Sequence, residues 1–179
     1  MRYRLSMRRR RILQSMLALG GSAALPLRAA PASMLTRRIP SSGEAMPIVG
    51  LGSWITFNVG NDPAACAECA AVMRAFFAAG GRMLDSSPMY GSAQDVIGDG
   101  LKKISRPAQL FSANKVWTSS DGPSQIADSR RKWGVPKFDL LQVHNLLGWE
   151  KHLPTLFAMK AAGQLRYEIA GTPFHETNC

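Results

Sequence analysis

From about residue 48 to residue 171 the chain alternates short apolar runs with longer helix-like segments, and this alternation constrains the fold more than any other feature. The apolar runs fall at about Ile48–Leu51, Met83–Asp85, 110–117 (LFSANKVW), 138–145 (FDLLQVHN) and 165–171 (LRYEIAG). Between them, NDPAACAECAAVMRAFFAAGG (61–81) predicts a helix with Asp62 as N-cap, Pro63 at the first helical position and Gly80-Gly81 at the end. Ser92 to about Ile104 predicts a second helix, with Ser92 and Asp95 at capping-box spacing. Residues 124–133 and 153–163 predict two more, the last opened by Pro154 and closed by Gly163. Ahead of all this, MLTRRIPSSGEAMPIVG (34–50) reads as a hairpin turned at Ser41 to Glu44 that runs into the first core strand. Strands that are apolar throughout are buried on both faces, the signature of a parallel sheet covered by helices.

Two α/β architectures fit that order: an open doubly wound sheet and a (β/α)8 barrel. A doubly wound dinucleotide fold wants G-x-G-x-x-G straight after its first strand. Here GLGSW (50–54) is followed by Ile55 where the third glycine should stand. The polar residues favour the barrel. Asp85, Lys115 and His144 each fall at the carboxyl end of a different apolar run, where a barrel places its chemistry, and Tyr90 follows Asp85 in the same connection.

Together these four residues make chemical sense. A phenol with a pKa of about 10 is a poor acid at neutral pH. A neighbouring lysine ammonium favours the phenolate, and an aspartate holds the lysine in place. The phenol can then protonate an oxygen that gains negative charge, while a histidine orients the same oxygen. Carbonyl reduction suits the set, with a hydride from a nicotinamide and a proton from Tyr90. Taken singly, each residue also has a plainer structural reading, as a turn cap, loop aromatic, solvated strand end or buried histidine.

Charge and cysteine content narrow the partners. The net charge of +10 suggests a polyanion at first. Seven arginines and no acids lie in residues 1–32, however, which leaves 15 basic against 12 acidic residues beyond them. An ordinary surface accounts for that balance, and SRRKW (129–133) is too short for a nucleic-acid face, so no nucleic-acid partner is expected. An arginine cluster, a weakly apolar run and Ala30-Pro31-Ala32 make residues 1–32 a signal peptide, with no lasting membrane partner beyond export. Arg9-Arg10 followed by Ile12-Leu13 is similar to the twin-arginine signal, so the expected destination is periplasmic or exported, cytoplasmic if the leader is silent. Cys66 and Cys69 form a C-x-x-C inside the first helix. No second pair offers metal spacing, and Cys69, Val72, Met73 and Phe76 trace an expected core stripe.

PIVGLGSW, GGRMLDSSPMYGSAQDVIG, NKVW, SRRKWGVPKFDLLQVHN and AAGQLRY resemble consecutive motifs of the aldo-keto reductase superfamily, from about residue 36 to 167. The resemblance implies Tyr90 as proton donor, Lys115 tuning it, Asp85 supporting the lysine and His144 positioning the carbonyl of a small-molecule substrate. It also implies NADPH, with NADH an open alternative, lying across the barrel against Gly52, Ser53, Trp54 and Asp85. Trp54, Trp117, His144 and Asn145 would line the substrate pocket. Plain core roles for the two tryptophans stay open.

A (β/α)8 barrel takes about 250 residues, whereas 147 follow the leader here. The expectation is therefore residues 33–179 as an N-terminal barrel portion of about five β/α units. After Tyr167 the reading EIAGTPFHETNC departs from the family pattern, and Glu168 puts a charge in a buried strand. A truncated reductase lineage is expected, and the alternative is an inactive fragment, pseudoenzyme or interaction module.

Overall fold

The computed structural model describes residues 34–170, so the leader read at residues 1–32 and the chain beyond residue 170 lie outside the described residues. The described residues open with a hairpin, β1 (Thr36–Arg38) antiparallel to β2 (Ala45–Pro47). Strands β3 (Leu51–Gly52), β4 (Met83–Asp85), β5 (Phe111–Val116), β6 (Phe138–Val143) and β7 (Leu165–Ala170) then alternate with helices α1 (Pro63–Ala78), α2 (Ala93–Lys103), α3 (Gly122–Trp133) and α4 (Trp149–Ala161).

The five later strands pair in parallel in chain order, β3-β4-β5-β6-β7. A doubly wound sheet reverses its strand order partway and carries helices on both faces. An unreversed order with right-handed crossovers keeps every helix on one face, which is the arc of a partial (β/α)8 barrel. Two separate cores follow from that arrangement. One joins helices to sheet through Met73, Phe77, Leu84, Ile97, Leu101, Val116, Leu141 and Leu156 among others. The other, on the opposite face, is smaller: Phe111, Ala113 and Leu140, with Met46 of the hairpin packed on them. Glu44 in the hairpin holds it there by ion pairs to Arg82, just before β4, and Arg166 of β7.

The element order matches the sequence reading, but several local expectations do not hold. The first core strand starts at Leu51, and Ile48 and Val49 are 58% and 56% exposed on the approach to it. The α1 stripe is Cys69, Ala70, Met73 and Phe77; Val72 is exposed, because the helix turns its 70–77 edge to the sheet. Asp62 does cap α1, accepting from the amides of Ala64 and Ala65. Ser92 forms no capping box. Its hydroxyl accepts from the Gly60 amide at 2.8 Å and donates to Asn58 Oδ1, which ties the β3–α1 loop to the start of α2. Pro154 lies inside α4, which begins at Trp149 after Gly148 in a left-handed conformation (φ 63°). The charge of Glu168 is answered by α4, since Lys160 Nζ sits 3.0 Å from it.

Candidate active site

The site is built where the strands end. Asp85 is the last residue of β4 and lies in register with Ala113 of β5. Lys115 is two residues further along β5, so strand periodicity puts its side chain on the same face as Ala113. From there its Nζ reaches back to both Asp85 oxygens at 2.7 and 2.6 Å, and donates to the Ser86 carbonyl at 3.1 Å.

Tyr90 is brought over this pair by a tight turn. Its amide donates to the Ser87 carbonyl, and its own carbonyl accepts from Ala93, so the turn feeds directly into α2. The phenol ring lies with Lys115 Nζ 5.3 Å from its centroid. His144, the first residue beyond β6, meets it edge-on, with centroids 5.6 Å apart and planes at 87°. The Nδ1 atom of His144 lies 2.6 Å from Ser87 Oγ. Trp54 also stands near Tyr90, with centroids 6.4 Å apart and planes tilted by 38°.

The remaining expected residues form a looser rim. Gly52 is exposed, and open space lies where a side chain would project from it. Ser53 is buried, its hydroxyl without a partner among the described residues. Trp117 stands just beyond β5, 39% exposed, its backbone clamped at both polar atoms by the Gln125 amide. Asn145 is exposed in a left-handed conformation (φ 52°) that turns the chain away from β6, and no hydrogen bond joins it to the other site residues among those described. Sequence reasoning missed Ser87 and Gln125. Their partners lie on other elements, and only the pairing of those elements reveals them.

Electrostatics corrects one expectation. The sequence suggests that Lys115 lowers the Tyr90 pKa, yet burial and then the Asp85 charge push the phenol above its ordinary value. Asp85 meets the ammonium with both oxygens, and its carboxylate charge opposes formation of a second negative charge on the phenol. Burial also raises the Asp85 carboxyl, opposed by Lys115. Burial and the Lys115 charge hold His144 below the usual imidazole value, which keeps it neutral.

An arc of parallel strands with helices on one face and polar groups gathered at the strand ends defines a protein of the (β/α)8 class. The aldo/keto reductase family model matches residues 48–167, two thirds of the chain, and the chain belongs to that family. A "Probable NAD(P)H-dependent D-xylose reductase" of Aspergillus clavatus is 30% identical over 148 residues, covering 76% of this chain and 42% of that protein. Aldo-keto reductase family 1 member A1 of Bos taurus is 27% identical over 146 residues, covering 76% and 41%. The chain thus spans about two fifths of the curated relatives it matches. Among solved structures, a Klebsiella pneumoniae aldo-keto reductase in complex with NADP and acetate superposes with a TM-score of 0.58 at 19% identity, covering 74% of this chain and 48% of its own. A Bacillus halodurans aldo-keto reductase in its holo form gives 0.59 at 20%, covering 76% and 50%. Those two likenesses show the fold.

Proposed function

We propose that the chain carries the proton-donating half of an NADPH-dependent reduction of an aldehyde or ketone to an alcohol. The observation that supports this most is the Asp85–Lys115 ion pair lying beneath the packed rings of Tyr90 and His144. The groups at the rim fit a nicotinamide cofactor: open space at Gly52, an orphaned buried hydroxyl at Ser53, and the exposed faces of Trp54 and Trp117. Gly52, Ser53, Trp54 and Asp85 would hold it, and when bound it supplies the hydride, NADH being the alternative to NADPH.

The chain's own residues handle the proton. A phenol raised above its ordinary pKa keeps its hydrogen at neutral pH, so Tyr90 is loaded for donation. As the carbonyl oxygen gains negative charge, Tyr90 transfers that hydrogen to it and becomes phenolate. Lys115, fixed by Asp85 within 5.3 Å of the ring, then stabilises the new negative charge. Neutral His144 faces the same oxygen and orients it by a hydrogen bond. Trp54 and Trp117 bound the space for the rest of the substrate.

A second reading rests on the sheet. Among the described residues the five-stranded sheet ends at β3 and β7 without closing, so the chain alone need not complete a cofactor site. NADPH consumption by the purified chain with a set of aldehydes, read beside Tyr90→Phe, decides between the two. Turnover abolished by Tyr90→Phe supports the first reading; absence of turnover and of NADPH binding by fluorescence supports an inactive fragment. We also propose that residues 1–32 direct export by the twin-arginine route. N-terminal sequencing of the exported protein tests this, and cleavage after Ala32 is the expected result.

A further inference from the structure

Ser87 is fully buried in the turn after β4, two residues beyond Asp85. Its Oγ lies 3.2 Å from the Met89 amide nitrogen and 2.6 Å from Nδ1 of His144. An amide can only donate, so the Ser87 oxygen accepts from Met89. The hydroxyl hydrogen then needs an acceptor of its own, because a buried polar group left unpaired is costly. Among the described residues, Nδ1 of His144 is the acceptor within reach. Were Nδ1 protonated instead, the oxygen would accept twice and its own hydrogen would be stranded in a site with no exposed surface.

We infer that Ser87 is a positioning residue: by donating to Nδ1 it holds neutral His144 as the Nε2–H tautomer and fixes its ring plane. This rests on the reductase reading above, since it gives the ring a donor to present to a substrate carbonyl oxygen. An acceptor nitrogen in that place would repel the oxygen and compete for the Tyr90 proton. The edge-on contact with Tyr90, at 87°, keeps the same ring plane.

The test uses the full chain labelled with ¹⁵N-histidine. The sequence has three histidines, and the His144 resonances are those lost in His144→Gln. At neutral pH the wild type is expected to show His144 with its proton on Nε2. His152, whose Nε2 lies 2.7 Å from the Thr118 carbonyl, is an internal reference for that tautomer. Ser87→Ala should blur the His144 signals into a tautomer mixture and lower kcat about threefold to tenfold, the worth of one neutral hydrogen bond, with KM within about twofold. Ser87→Thr should restore both. Ser87→Cys, close in shape and a weak donor, replaces alanine should that variant not fold.

A wild-type His144 protonated on Nδ1 would overturn the inference. So would a Ser87→Ala protein with an unaltered ring spectrum and unaltered kcat. Should no variant turn over any carbonyl, the reductase reading falls while the ring spectra still decide the role of Ser87.

Discussion

Lys115 Nζ contacts both oxygens of Asp85, at 2.7 and 2.6 Å, from a side chain only 12% exposed. The pair is therefore one unit, and removing either half strands the other. Lys115→Met leaves the Asp85 carboxylate, 31% exposed, without its partner. We expect a loss of about 1–3 kcal/mol in urea unfolding, between the values typical of buried and surface pairs. Asp85→Asn with Lys115→Met should recover part of that loss, because no charge is then left unpaired.

Tyr90→Phe separates stability from chemistry. No hydrogen bond to the Tyr90 hydroxyl is found among the described residues, whereas its ring packs on Trp54 and His144. The variant should keep its unfolding midpoint and lose about 10²–10⁴-fold in kcat, the usual contribution of a general acid. A kcat within about threefold of wild type would remove Tyr90 from the proton-donor role.

Glu44 makes stability depend on pH in the acid range. Burial raises its carboxyl, but hydrogen bonds from Arg82 and Tyr167 and the charges of Arg166 and Arg82 outweigh it and hold it below the ordinary 4.5. A depressed carboxyl stabilises the fold fully above its unfolded value, and that contribution is lost as pH falls from about 4.5 through the folded value. Glu44→Gln should therefore flatten the fall in unfolding midpoint below that pH, while lowering the midpoint at neutral pH.

Gly98→Ala sets helix propensity against packing. Alanine is favoured over glycine inside a helix by about 1 kcal/mol. At Gly98, however, a Cβ would lie 1.8 Å from the backbone oxygen of Lys132 in α3. Backbone cannot move aside cheaply, so packing wins. We expect net destabilisation of about 1–3 kcal/mol by chemical denaturation, the usual cost of overpacking.

Some of the site was legible in order but not in contact. Asp85, Lys115 and His144 were recognisable because each closes an apolar run, and strand ends are where a barrel gathers polar groups. Their mutual distances were not, since those depend on which strand lies beside which and in what register. Asn145 shows the limit from the other side. The resemblance places it at the pocket, but the left-handed turn after β6 that sets its exposure is a backbone detail no motif carries. Pro154 was misleading: proline commonly opens a helix, but here the chain had already begun one five residues earlier at Trp149.

The sequence by itself determined the element types, their order and the parallel α/β class, because periodicity and local caps such as Asp62 act within a few residues. Tertiary structure decided everything that depends on neighbours through space. It paired Ser87 with His144 and Glu168 with Lys160, placed Lys132 against Gly98, and closed Asp85 on Lys115. It also set the direction of the Tyr90 pKa, because burial and the balance of nearby charges exist only once the strands stand side by side.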